Sequence, residues 1–164
     1  MRSDIVIKKN QVANTYTQIH IQSVFAVKYR ASMLDKEWRG RLFQYMIGIM
    51  NQTGHKTLAV NGVEDHIHIL YGLHPNKSIS QTMQALKGET SEWINVNGFC
   101  KKKFEWQSGY GAFSYRKRDI PTIVNYIHNQ EEHHRKIEFI DEYKGLLRDF
   151  DVEFDERYIL LPPI

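Results

Sequence analysis

The chain carries a single cysteine, Cys100, in 164 residues. One thiol excludes an internal disulfide framework and a thiolate zinc site, and its place just before Lys101-Lys102-Lys103 reads as a loop. No positively charged segment followed by an apolar stretch opens the sequence, so there is no secretory signal to read. No run reaches the roughly 18 apolar residues that a membrane span needs. Repeats and low-complexity segments are absent too. The expectation is a cytosolic protein with no membrane partner.

What is present suits one domain spanning residues 1–164. Hydrophobic residues make up 41% and charged residues 25%, ordinary for a globular chain long enough to build a core without staples. A net charge of +3 and a pI near 8.9 permit nucleic acid as a partner without demanding it. The distribution says more than the total. Arg39, Arg41, Lys87, Lys101, Lys102, Lys103, Arg116 and Arg118 crowd the middle of the chain, whereas the last thirty residues are rich in acids. A basic centre is compatible with a phosphate-contacting surface, and each of these residues is equally at home as a solvated charge.

Periodicity gives the order of elements. Residues 1–12 read as a frayed tail or a short extra strand. Tyr16 to Tyr29 reads as a strand, central because its second half is apolar on both sides. Asp35 can cap a helix bearing Leu42, Phe43, Met46, Ile47 and Met50 that ends near Gly54. Lys56 to Val60 is a short strand, Asn61-Gly62 a two-residue hairpin signal, and the strand after it carries His66 and His68 before closing at His74-Pro75. Ser78 or Ser80 can cap a second long helix ending at Gly98, within which Gly88 suggests a close approach by a strand or a substrate. The stretch 104–115, dense in aromatics and glycine, reads as a loop feeding a last strand. Asp119 with Pro121 marks a helix start, the helix running to about Ile137, with a shorter helical segment from Ile140 to Leu147 and a tail to Ile164. Strand, helix, strand, strand, helix, strand is the split β-α-β order. It predicts an α+β fold of ferredoxin-like or RRM-like type: an antiparallel sheet with both helices on one face, an open second face for a partner or substrate, and an added C-terminal tyrosine-bearing helix.

The chemistry centres on Glu64-Asp65-His66-Ile67-His68. Residues two apart on a strand share a face, so the two imidazoles project together and can supply two nitrogen ligands to one divalent ion. A pair of hydrogen-bonded structural histidines has the same pattern. On the helix that begins at Asp119, Ile120, Ile123, Val124 and Ile127 form the apolar stripe, while Tyr126 and Gln130 sit one turn apart on its flank. Gln130 can offer an oxygen to an ion held by the histidines, and Tyr126 can attack phosphorus as a phenolate. Its ordinary pKa, near 10, requires a proton acceptor that the sequence does not name.

These residues carry a resemblance. His66-Ile67-His68 followed by Tyr126-Ile127-His128-Asn129-Gln130, together with Leu86-Lys87-Gly88 and Trp106-Gln107-Ser108-Gly109-Tyr110-Gly111, resembles the single-tyrosine (Y1) HUH transposases of the IS200/IS605 type, the TnpA group. The resemblance covers nearly the whole chain. It implies a Mg²⁺- or Mn²⁺-dependent enzyme of a bacterial or archaeal cell that cuts and rejoins single-stranded DNA. It further implies metal ligation by His66, His68 and Gln130, a 5′-phosphotyrosine on Tyr126, recognition of a subterminal DNA hairpin, and a homodimer with composite active sites. In that setting the basic residues are candidate phosphate contacts, and Trp106, Tyr110, Phe113 and Tyr115 can stack on bases or pack in the core. Asp65 can fix an imidazole tautomer or merely solvate the start of its strand. His133 and His134 read as structural or surface residues. Three rival readings stand beside this one: a REP-associated tyrosine transposase acting on dispersed palindromes, a non-catalytic single-stranded nucleic-acid-binding module, and a structural metal site.

Overall fold

A computed structural model describes residues 15–159. The expectation for residues 1–12, and the last five residues of the C-terminal tail, lie outside the described residues.

Four strands form one antiparallel sheet in the order β2-β3-β1-β4: β1, His20–Ala26; β2, Lys56–Gly62; β3, His66–Gly72; and β4, Gly111–Tyr115. β1 is central, as its two-sided apolar character requires, but shorter than expected. Residues 15–19 are exposed, and after Val27 the chain turns through a short 3-10 segment at Lys28–Arg30. Alternation along β3 divides the molecule. Ile67, Ile69 and Tyr71 enter one core with Ile21 and Phe25, whereas His66 and His68 lie on the opposite face beside Leu70.

The β2–β3 connection corrects one expectation. β2 continues through Asn61 and Gly62, which pair with His68 and Ile67, and the turn is made by Val63, Glu64 and Asp65. Gly62 is required for packing: a Cβ there would lie 2.2 Å from the His66 carbonyl oxygen.

Helices α1 (Lys36–Gln52) and α2 (Ile79–Val96) cover the apolar face. Asp35 caps α1 by accepting from the Glu37 amide, and Ser78 with Gln81 forms a reciprocal capping box on α2. Leu42, Met46, Met50, Met83, Leu86 and Ile94 recur at helical spacing and are buried together. Gly88, by contrast, faces open space and accommodates no neighbouring element of the chain.

The second face is occupied by the chain itself. Helix α3 (Ile120–His128) packs on β2 and β3, a short α4 (Gln130–His133) follows, and α5 (Phe139–Asp149) lies against β1 and β4. Two details depart from the sequence reading. Asp119 has helical dihedrals and makes no capping bond, because its carboxylate is drawn to Arg116 Nε at 2.9 Å. The long helix breaks at Asn129, where the side-chain amide of Asn61 on β2 donates to the carbonyls of Ile127 and His128, both at 3.0 Å, and competes for the acceptors a continuing helix would use. On α5, Phe139, Glu142, Tyr143 and Leu147 form one buried stripe, admitted close to β4 because Gly111 has no side chain; a Cβ there would meet Tyr143 Cε2 at 2.7 Å. Among the described residues no helix is long and apolar enough to cross a membrane.

Replacing Gly62 by Ala drives a methyl group into backbone, which no rotamer change can relieve. The substitution is expected to destabilise the fold by about 3 kcal/mol, read as a lower urea midpoint at unchanged slope.

Candidate functional site

On the polar face of the sheet the site grows outward from the central strands. β3 presents His66 and His68 side by side, both fully buried. β1 sets Gln22 beside them, α3 and α4 bring Tyr126 and Gln130 over them, and α5 adds Phe139 and Glu142. The Phe139 ring stacks flat on His66, with centroids 3.9 Å apart and planes 10° apart, which fixes the imidazole from above.

Glu142 is the hub. Its Oε1 lies 2.9 Å from His68 Nε2 and 3.2 Å from His134 Nε2, and its Oε2 accepts from the Tyr126 hydroxyl and, at 3.3 Å, from the Gln130 amide. His133 Nε2 approaches Oε2 to 3.0 Å but lies off the hydrogen-bonding axis. Burial works against the Glu142 carboxylate, yet the bonds from His134, His68 and Tyr126 outweigh it and hold its carboxyl far below the usual range. The Tyr126 phenol is pushed the other way, first by burial and then by the adjacent Glu142 charge.

Hydrogen-bond partners assign the imidazole protons. His66 Nδ1 is 2.7 Å from Asp65 Oδ1, a carboxylate oxygen that only accepts, so Nδ1 carries the proton. Burial, opposed by Asp65, lowers the His66 pKa and keeps the ring neutral. Its bare Nε2 therefore points at two further acceptors, Gln130 Oε1 at 3.3 Å and Glu142 Oε1 at 3.6 Å. In His134 both ring nitrogens face oxygens, Ile137 O at 2.9 Å and Glu142 Oε1. Burial alone would lower its pKa, but the Glu142 bond and charge and the Ile137 carbonyl raise it. In His68, Nε2 donates to Glu142 and Nδ1 accepts from the Gln22 amide at 2.8 Å, while Gln22 Oε1 accepts from the Tyr115 hydroxyl at 2.7 Å. Burial, with Asp149 nearby, pushes the Tyr115 phenol up to about 12, so it stays a donor.

This donor set fits a divalent cation. One ligand atom from each of His66, His68, His134 and Glu142 falls within 4.8 Å of the others, and the lone pair of His66 already converges with the oxygens of Gln130 and Glu142. A cation satisfies such convergent acceptors, and three imidazoles with a carboxylate are a usual divalent-metal set. Asp65 and Ile137 hold the Nδ1 protons of His66 and His134, leaving each Nε2 as the ligating atom.

The structure thus brings His66, His68, Tyr126, Gln130 and Asp65 together within one chain. It adds His134, which sequence reasoning set aside, and Glu142, which it missed. The available signal was an acid on the buried stripe of α5, between Phe139 and Tyr143. Most of the expected DNA-contacting residues lie elsewhere. Arg39 is buried, its guanidinium donating to Leu34 O and Glu131, and Lys87 donates to the carbonyls of Gln107 and Gly109, so both are engaged within the protein. Arg41 covers the Phe99 ring. Trp106 is a core residue whose indole donates to Thr90, and Phe113 is buried under α5. Lys101, Lys102, Lys103, Tyr110, Arg116 and Arg118 are exposed.

If His68 ligates through Nε2, its proton must sit on Nδ1. Gln22 can serve that tautomer only by turning its amide over, presenting Oε1 to Nδ1 and its NH₂ to the Tyr115 oxygen. Gln22→Leu removes this choice. It is expected to weaken Mn²⁺ binding about 10- to 100-fold by calorimetry while the protein still unfolds cooperatively.

Residues 15–130 match the family profile described as "Transposase IS200 like". The ISDra2 transposase TnpA of Deinococcus radiodurans is 25% identical over 120 residues, which span 70% of this chain and 86% of that protein. Two solved structures share the fold. A crystal structure of a Deinococcus radiodurans protein described as a transposase superposes with a TM-score of 0.60 at 23% identity, covering 74% of this chain and 98% of that one. A REP-associated tyrosine transposase bound to a REP hairpin gives 0.57 at 17% identity, covering 79% of this chain and 76% of that one. With the match running through the histidine strand, the tyrosine helix and Gln130, the chain belongs to the IS200-like family of single-tyrosine HUH transposases.

Proposed function

We propose that this chain cuts and rejoins single-stranded DNA at insertion-sequence ends, with Tyr126 as the nucleophile and a divalent ion held around His66 and His68. The observation that carries the reading is the Tyr126 hydroxyl lying against the imidazole and carboxylate cluster, in a chain of the IS200-like family. The strand order β2-β3-β1-β4, with α1 and α2 on one face, supports the ferredoxin-like assignment of the core.

In the proposed reaction the Tyr126 oxygen attacks phosphorus as the bond to the 3′ oxygen breaks. The 5′-phosphate becomes joined to the tyrosine and the 3′ oxygen leaves as a hydroxyl, which attacks the phosphotyrosine in the rejoining step. The phenolic proton passes along its hydrogen bond to Glu142 Oε2 and on to the leaving 3′ oxygen, so the carboxylate is ionised before and after the step. The ion, when bound, supplies Lewis-acid stabilisation of the charge developing on the phosphoryl oxygens. His66 and His68 are its core ligands, with Gln130, His134 and Glu142 the oxygen and nitrogen donors that can complete the shell. Of the two ions implied by the resemblance, Mn²⁺ suits this imidazole-rich set better than Mg²⁺, which favours oxygen. Asp65 orients His66.

The substrate we infer is a single strand with a hairpin near the cut. Because Tyr126 reaches the histidines of its own chain, a homodimer would bring together two sites that are each complete in cis. The rival is the REP-associated reading, the type of a solved structure that shares this fold. Genomic flanks separate the two: hairpins bracketing the gene favour self-mobilisation, while many dispersed palindromes without them favour the REP type.

The decisive experiment incubates the protein and Mn²⁺ with single-stranded DNA carrying its gene's flank. A protein–DNA adduct resistant to denaturation is expected, lost completely in Tyr126→Phe, and formed about 100-fold more slowly in Glu142→Gln. Adduct persisting in Tyr126→Phe would exclude this nucleophile, and none with any flank would favour a binding module.

A further inference from the structure

Beyond the cleavage site, the loop leaving β1 and the segment before β4 enclose an open cavity of about 500 Å³. Its walls carry Lys28, Arg30, Lys102 and Lys103 against one acid, Glu105, which pairs with Lys28 at 3.3 Å. Lys102 and Lys103 are exposed, and among the described residues no hydrogen bond or ion pair engages the Arg30 guanidinium. Most other basic side chains that sequence reasoning favoured are turned inward or paired; Arg30, Lys102 and Lys103 instead line a concave space.

The backbone here is unusual. Tyr29 and Arg30 are consecutive residues with positive φ, 60° and 51°, a conformation glycine adopts freely and other residues adopt only where the surroundings impose it. The surroundings do so through hydrogen bonds. Lys28 N donates to Glu105 O, Arg30 N to Val27 O, and Met33 N and Leu34 N to Glu64 O, so the loop is tied two residues from His66. Strain held in a basic loop beside a candidate active site presents two side chains, an aromatic ring and a guanidinium, where glycines would present none. Ala31 and Met33 add apolar lining.

We infer that this cavity is a nucleotide-binding pocket for single-stranded DNA, gripping the sugar–phosphate backbone with Lys28, Arg30, Lys102 and Lys103 and receiving a base against Tyr29. A cavity of this volume accommodates one nucleotide, and cations interleaved with an aromatic ring are the usual means of holding a single strand. The inference rests on the proposed DNA substrate, but binding can be tested without cleavage.

The probe is a fluorescently labelled dodecathymidylate, titrated by anisotropy in EDTA across a salt series. Lys28→Ala/Arg30→Ala and, independently, Lys102→Ala/Lys103→Ala are each expected to raise Kd at least tenfold. Each should also reduce the slope of log Kd against log salt by about 1.4, since each lost phosphate contact with a single strand removes about 0.7. The pair Lys56→Ala/Lys77→Ala, at the other end of the sheet, is expected to leave the slope unchanged. Arg30→Gly distinguishes a functional residue from a structural one: it relieves the backbone, raising Tm, yet weakens binding as alanine does. Wild-type affinity and slope in both pocket pairs, an equal loss in the control pair, or no binding of the probe by the unmodified protein at low salt would overturn the pocket. If no tyrosine adduct forms but the pocket pairs alone lose the probe, the cleavage reading falls and the pocket stands.

Discussion

The buried carboxylate of Glu142 ties the structure of this protein to its chemistry. A carboxylate taken out of water is tolerated only when its oxygens are fully engaged, and here His68, His134, Tyr126 and Gln130 engage them. Those partners come from β3, α3, α4 and the turn after it, so the bonds that satisfy one acid also dock α5 onto the sheet. The apolar contacts run in the same direction. Phe139, one turn before Glu142, lies flat on His66, and Tyr143, next to it, fills the space left by Gly111. Packing and electrostatics thus fix the same helix in the same place.

The sheet makes this possible by dividing its two faces. Ile21, Phe25, Ile67, Ile69 and Tyr71 point toward α1 and α2 and build an apolar core that asks nothing of the other side. The alternate positions carry Gln22, His66, His68 and, on β4, Tyr115, a polar network inside an otherwise dry sheet. Each member has a partner, which is what allows it to be buried, and a network so constrained holds ring orientations that a surface site would not. Imidazole geometry is therefore set by strands, and the place of the Tyr126 hydroxyl by a helix laid across them.

Local signals in the sequence disclosed the local facts. Alternation put His66 and His68 on one face, helical spacing placed α1 and α2, and Asp35 and Ser78 announced their caps. The hidden features depend on distant encounters. Asn61 looked like part of a hairpin turn, but its amide reaches 66 and 67 residues along the chain to cap α3, and no local pattern reports that. Arg39 and Lys87 looked like surface cations because a sequence does not show which charges will find carbonyls and carboxylates inside. Glu142 was hidden for a related reason. An acid in the last helix is ordinary, and only the docking of α5 carries it to histidines more than 70 residues away.

The division of the donor set along the chain has a mechanistic consequence. His66, His68, Tyr126 and Gln130 lie within the region shared with the IS200-like profile, which ends at residue 130, whereas His134 and Glu142 lie beyond it. The shared region supplies two imidazoles, an amide oxygen and a phenol; the following segment contributes one more imidazole and the carboxylate that accepts the phenol's hydrogen bond. Each of these added groups is positioned by its own surroundings, His134 by the Ile137 carbonyl and Glu142 by the apolar stripe around it. The C-terminal segment is thereby built into the site. Its position governs both the charge beside the histidines and the hydrogen bond of Tyr126, so under the proposed reaction control of α5 is control of the nucleophile.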